Sequence, residues 1–116
     1  MYKRRVHSLA DPAEIRRLID DYPWAVLVAH GDQGLVASHL PCLRDPVRDG
    51  DDLEDLVILG HVAKRDPIAA LLEEAEEALL IFQGSHGYVS PSWYGESPHV
   101  GTWNFTAAHV YGAVET

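Results

Sequence analysis

Two Asp-Pro dipeptides, Asp11-Pro12 and Asp66-Pro67, divide this chain more sharply than any other feature. An aspartate accepts hydrogen bonds from the free N–H groups of a first helical turn. Proline suits the first helical position, where its missing N–H is not needed. After the first pair, Ile15, Leu18, Ile19 and Tyr22 recur at helical spacing until Pro23 stops the run. After the second, Ile68, Leu71, Leu72 and Ala75 make one apolar face while Glu73, Glu74, Glu76 and Glu77 turn to water. The remaining apolar residues come mostly in runs too short for helices. Residues 24–29, 35–40, 56–62, 78–83 and 103–114 read as five strands, the first two joined by a turn at 30–34. Pro41 closes the second strand or marks a sheet edge. Residues 44–55 are charged and turn-rich, which predicts a mobile surface connection. The expected fold class is therefore α+β, mainly β: a small antiparallel barrel with short flanking helices, as one domain over residues 1–116. The sequence stops directly after the last strand, which predicts a sheet edge to be covered by a dimer partner or by further chain.

Charge narrows the range of partners. The chain carries 18 acidic and 9 basic residues, a net charge of −9. Its basic clusters include Lys3-Arg4-Arg5 and Lys64-Arg65. Binding to DNA displaces counterions from phosphates and needs a basic face, so direct DNA binding is disfavoured. No apolar run approaches the roughly 20 residues that cross a bilayer, so no membrane association is expected. The basic N-terminus leads into no apolar core of the secretory type. The lone Cys42 makes no internal disulfide. Together these predict a cytoplasmic protein.

Catalytic motifs are sparse. The histidines at 7, 30, 39, 61, 86, 99 and 109 form no H-x-x-x-H or H-E-x-x-H pair, and no G-x-S-x-G, G-x-G-x-x-G or P-loop is present. Residues 82–111 instead interleave rings with hydroxyl, amide and imidazole groups, among them Trp93, Thr102, Trp103 and Asn104. Two readings stand side by side: a surface for a flat, conjugated, partly polar ligand, or a loop folded over the core with its rings as packing. Strand alternation puts His39 on the face opposite Ser38 and Leu40; a histidine there is a ligand contact or is satisfied by a backbone carbonyl. His61 ends the third strand just before Lys64 and Arg65. These two cations precede a helix start, where an anion such as phosphate is favoured; the alternative is a pair of solvated cations. Asn104, able to donate and accept, suits the edge of an isoalloxazine or nucleobase.

Several of these stretches have a familiar order. Ser38-His39-Leu40-Pro41, Gly60-His61-Val62-Ala63, Phe82-Gln83-Gly84, the run Tyr88-Val89-Ser90-Pro91-Ser92-Trp93-Tyr94, Thr102-Trp103-Asn104 and Ala108-His109-Val110-Tyr111-Gly112 together resemble the PaiB-like family of FMN-binding negative transcriptional regulators. The resemblance implies a split β-barrel related to pyridoxamine-phosphate oxidases, a homodimer, and FMN at the subunit interface. It implies cofactor contacts from Ser38, His39, Leu40, His61, Lys64, Arg65, Trp93, Thr102, Trp103 and Asn104. The same family includes heme-dependent piperazate synthases, enzymes that close an N–N bond in a small-molecule substrate. That branch implies heme b as the alternative cofactor, with His39 as axial ligand. A non-catalytic, transcription-linked module is a third expectation. The chain departs from the family pattern in two places: the C-terminal part usual there is absent, and position 101 is Gly where Pro is common.

Overall fold

A computed structural model describes residues 11–50, 52–93, 95 and 100–116. The basic cluster at 3–5, His7, Tyr94 and His99 lie outside the described residues.

Both Asp-Pro dipeptides open helices. In α1 (Pro12–Asp21) the Asp11 carboxylate accepts from the Ala13 N–H, and Leu18 and Ile19 are buried. In α2 (Pro67–Glu74) the Asp66 carboxylate accepts from the Ile68 N–H, and Ile68 is fully buried. Around them run β1 (Trp24–Gly31), β2 (Gly34–Arg44), β3 (Ile58–Gly60), β4 (Glu77–Val89) and β5 (Thr102–Ala113). All pair antiparallel in the order β3-β2-β1-β4-β5. The fold is thus α+β and mainly β, with β3 and β5 as the two edges of the described sheet.

The expected strand bounds need correction at three places. β2 runs through Pro41 to Arg44. The Cys42 N–H donates to the Pro23 carbonyl on the β1 side, so the N–H that Pro41 lacks would point to the other side. There β3 pairing begins only at Cys42, so no ladder bond is lost and Pro41 does mark an edge. β3 is short, three residues. β4 extends to Val89, through Gly84, Ser85 and Gly87 that read as loop, so more than half of the aromatic stretch is a long β4–β5 hairpin rather than a folded-over loop.

Strand alternation gives this sheet two unlike faces. Ala25, Leu27, Ala29, Leu40, Cys42, Phe82 and Ala108 point to one side and form a single core with Leu18, Ile19 and Ile68 from the helices. Burial in that core raises the pKa of the Cys42 thiol. On the other side, row by row, stand Val26 with His39 and Ile81, and Val28 with Ala37 and Leu79. No described helix crosses that side.

The connection at 44–55 is not the loosely held loop its composition suggests. Arg44 pairs with Asp20 of α1 and with Asp49, and Arg16 of α1 pairs with Asp49 while donating to the carbonyls of Gly50 and Asp52. The Asp45 carboxylate accepts from the N–H groups of Val47 and Arg48. The partners lie up to 36 residues apart, which is why charge composition alone gave no sign of them. The Arg44 hydrogen bonds hold Asp20 below the usual carboxylate pKa. For Asp49, burial acts in the opposite direction, but Arg16 and Arg44 outweigh it and the net shift is also downward.

Candidate functional site: the open sheet face

The uncovered face is built from the odd-numbered positions of β2 and β5 and the even-numbered positions of β1. On β4 the pattern changes partway. Leu79, Ile81 and Gln83 face the open side; then Gly84 and Ser85 together oppose Thr106 alone, a β-bulge, and His86 and Tyr88 take over that side opposite Phe105 and Trp103. The resulting surface is rich in rings: Trp24, His39, His86, Tyr88, Trp103, Phe105, His109 and Tyr111. Glu77, at one corner, is the only carboxylate among its described strand positions, and no lysine or arginine stands there. A chain of net charge −9 therefore keeps almost all of its charge off one sheet face. Large exposed apolar patches on proteins are typically where other molecules make contact.

A groove of about 560 Å³ is sunk into this face where α1 ends. Val26 and Ile81 form its floor, with Trp24, His39 and Gln83 beside them, His86 at one end and Asp21 and Tyr22 at the rim. The Trp24 and His39 rings stack, 6.4 Å between centroids and 15° between planes. Beyond the groove the rings continue: His86 lies 6.1 Å from Trp103, and Trp103 lies 5.9 Å from Tyr88. Gly101 lies under this cluster. A Cβ added there would meet the Tyr88 hydroxyl and come within 2.8 Å of its Cζ, so the glycine departure lets Tyr88 lie against the backbone.

The structure distributes the sequence candidates over three places. His39 lies in the groove. Ser38 faces the other way, its hydroxyl donating to Asp66 at the start of α2, next to exposed Lys64 and Arg65. His61 is exposed just beyond β3. Trp93, 70% exposed, and Thr102, Trp103 and Asn104 lie at the far end of the β4–β5 hairpin. Trp103 is on the open side, whereas Thr102 and Asn104 alternate to the opposite side. Leu40 is buried in the core, so only its backbone is available to a ligand. His39 and Trp103 are separated along the sheet: His39 shares a row with Val26, Ile81 and His109, and Trp103 is six residues from His109 on β5. At about 3.3 Å per residue that is roughly 20 Å along the strands, with the three strand spacings from β2 to β5 in addition.

The start of α2 does not offer a phosphate the free N–H groups expected of it. Pro67 has no N–H, the Ile68 N–H goes to the Asp66 carboxylate and the Ala69 N–H to the Asp66 carbonyl. Hydrogen bonds from Ser38 and from Ile68 keep Asp66 charged below the usual carboxylate range. An anion would thus meet Lys64 and Arg65 rather than open helix N–H groups. The residues present nevertheless fit a flavin in kind: a ring surface with few charged groups and a groove for a conjugated system, amide and imidazole groups beside it, and two surface cations apart from it.

Among the described residues, no helix is long and apolar enough to cross a membrane. Residues 1–116 in full match the model of the family described as "Putative FMN-binding domain". The chain is similar to the protease synthase and sporulation protein PAI 2 of Bacillus subtilis, 32% identical over 97% of this chain and 51% of that protein. It is similar to the uncharacterized protein AN0679 of Emericella nidulans, 34% identical over 98% of this chain and 56% of that one. It is also similar to the uncharacterized protein YKL070W of Saccharomyces cerevisiae, 33% identical over 70% of this chain. The chain spans about half the length of the curated relatives it matches. The resemblance carried by the YVSPSWY and TWN stretches is borne out, and the chain belongs to this FMN-binding family.

Proposed function

We propose that this chain binds FMN on the open face of its sheet, between two copies of itself, in a redox or regulatory role. The observation that carries the reading is the ring-lined face, nearly free of charged side chains, with its groove at His39 and Trp24. Membership of the family supports the choice of cofactor. Support for two copies comes from the separation of the candidate residues. His39 and Trp103 are about 20 Å apart along the strands and three strands apart across the sheet, so one ligand reaches both kinds of group more readily where two sheets meet. A bound flavin supplies hydride and electron transfer; the chain itself supplies the surface that orients the rings and excludes water. In this reading Lys64 and Arg65 neutralise the phosphate, and His39, Trp24 and Trp103 contact the rings.

The test is titration of the purified chain with FMN and with riboflavin, which lacks the phosphate, followed by flavin fluorescence and absorption. Both ligands are expected to bind, FMN more tightly. The double variant Lys64→Ala/Arg65→Ala is expected to lose about tenfold in FMN affinity and little for riboflavin, the scale of charge-assisted contacts at about 1.5–3 kcal/mol. Failure of the unsubstituted chain to bind either flavin would overturn the reading. A Soret band and loss of heme in His39→Ala would put heme b in its place.

A further inference from the structure

His86 is absent from the cofactor candidates that the sequence suggested, yet the fold takes unusual measures to aim it. Along β4 the buried positions are Phe82 and Gly84, and continued alternation would send residue 86 to the same helix-covered side. The bulge at Gly84-Ser85 reverses this by inserting one extra residue opposite Thr106. Two contacts hold the bulge. Gly84 has no room for a Cβ, which would meet the Thr106 hydroxyl and come within 2.7 Å of Leu18 Cδ1. The Ser85 hydroxyl shares a 2.6 Å hydrogen bond with the Tyr22 hydroxyl at the end of α1. The outcome is that His86 lines the same groove as His39 and Trp24 while its ring lies against Trp103. It is the link between the groove and the rings of the hairpin end.

Building on the flavin reading above, we infer that His86 is a ligand-contacting residue, its ring forming the wall of the site on which the flavin rings rest. The bulge is then a positioning device. Its removal would turn the imidazole away from the groove and Tyr88 off the open face, and leave the two ring clusters unconnected.

The experiment compares FMN affinity and Tm for the unsubstituted chain, His86→Ala and His86→Phe. His86 is exposed, so all three are expected to share one Tm within error. His86→Ala is expected to weaken FMN by about tenfold or more, the range measured when a ring that stacks on a nucleobase is truncated. His86→Phe keeps a planar ring and is expected to remain within about threefold of the unsubstituted chain, on the same stacking argument. FMN affinity unchanged in His86→Ala would overturn the inference while leaving flavin binding intact. A fall in Tm in step with affinity in both variants would overturn it too, since His86 would then be a packing residue. No FMN binding by the unsubstituted chain would overturn the flavin reading itself, and this inference with it.

Discussion

The two sides of one sheet make opposite use of the same strands. On the helix side, Leu27, Leu40, Phe82 and Ala108 meet Leu18, Ile19 and Ile68 in a closed core, and no buried side-chain polar atom among the described residues lacks a partner. On the open side, Val26, His39, Ile81 and His109, neighbours of those core residues in the chain, have no described element over them. The two phenylalanines of the sequence fall one on each side: Phe82 is fully buried and Phe105 is 60% exposed. A residue type therefore says little about its job here; the face on which alternation places it says most. The closed side accounts for stability, and the open side is where function is to be sought.

The largest expected effect tests that division directly. Phe82→Ala is expected to destabilise the chain by about 3–5 kcal/mol through lost burial and a cavity. Phe105→Ala is expected to cost the monomer less than about 0.5 kcal/mol. Chemical denaturation of both variants at low protein concentration checks the pair; equal losses would erase the distinction between the faces.

A smaller effect belongs to the charged network on the helix side. Truncating Arg16, whose side chain is largely buried against Asp49, is expected to cost about 2 kcal/mol by leaving that carboxylate with less compensation. The network also sets a pH dependence. Asp20 and Asp49 have folded-state pKa values below the 3.8 of a free aspartate, so the unfolded chain binds protons first as pH falls. Their contribution is complete at pH values well above 3.8 and disappears as pH drops through the depressed folded values. Denaturation midpoints followed from neutrality to about pH 3 should be flat at first and then fall, and the fall should be shallower in Arg44→Ala. The open face offers nothing comparable, having one carboxylate at its corner.

The smallest expected effect on stability carries the largest expected effect on assembly. Ala37 is exposed on the open face between His39 and Leu35. Ala37→Asp is expected to change monomer stability by less than about 0.5 kcal/mol. In a symmetric pair it would bring buried like charges close together, so sedimentation should show a dimer for the unsubstituted chain and a monomer for the variant. A variant that remains dimeric would move the interface elsewhere.

Much of this architecture was legible from short-range signals. Asp-Pro at 11–12 and 66–67 marks both helix starts because capping is local chemistry, and alternation correctly sets His39 against Ser38 and Leu40. The chain's family was legible in its YVSPSWY and TWN stretches. Less visible was anything that depends on contacts distant in sequence. Gly84, Ser85 and Gly87 suggest a loop by residue type, but pairing with β5 holds them in a strand. The bulge that turns His86 is fixed by Leu18 and Tyr22, more than 60 residues away in the chain. Arg16 and Arg44 convert a turn-rich segment into an anchored one, and Asp66 occupies the helix-start N–H groups that seemed available to a phosphate. Of the ten cofactor candidates, Leu40 shows the limit most plainly: alternation sets it opposite His39, but only packing against the helices decides that its side is the buried one.

The central claim is that ligand binding belongs to the open face, and methyl-resolved NMR during an FMN titration tests it most directly. Open-face and core methyls alternate along the same strands, so the two faces are read in one spectrum. Shifts are predicted at Val26 and Ile81 on the groove floor, with Leu27, Leu40 and Ile68 on the helix side nearly unmoved. Shifts concentrated at Leu27, Leu40 and Ile68, with Val26 and Ile81 silent, would contradict it.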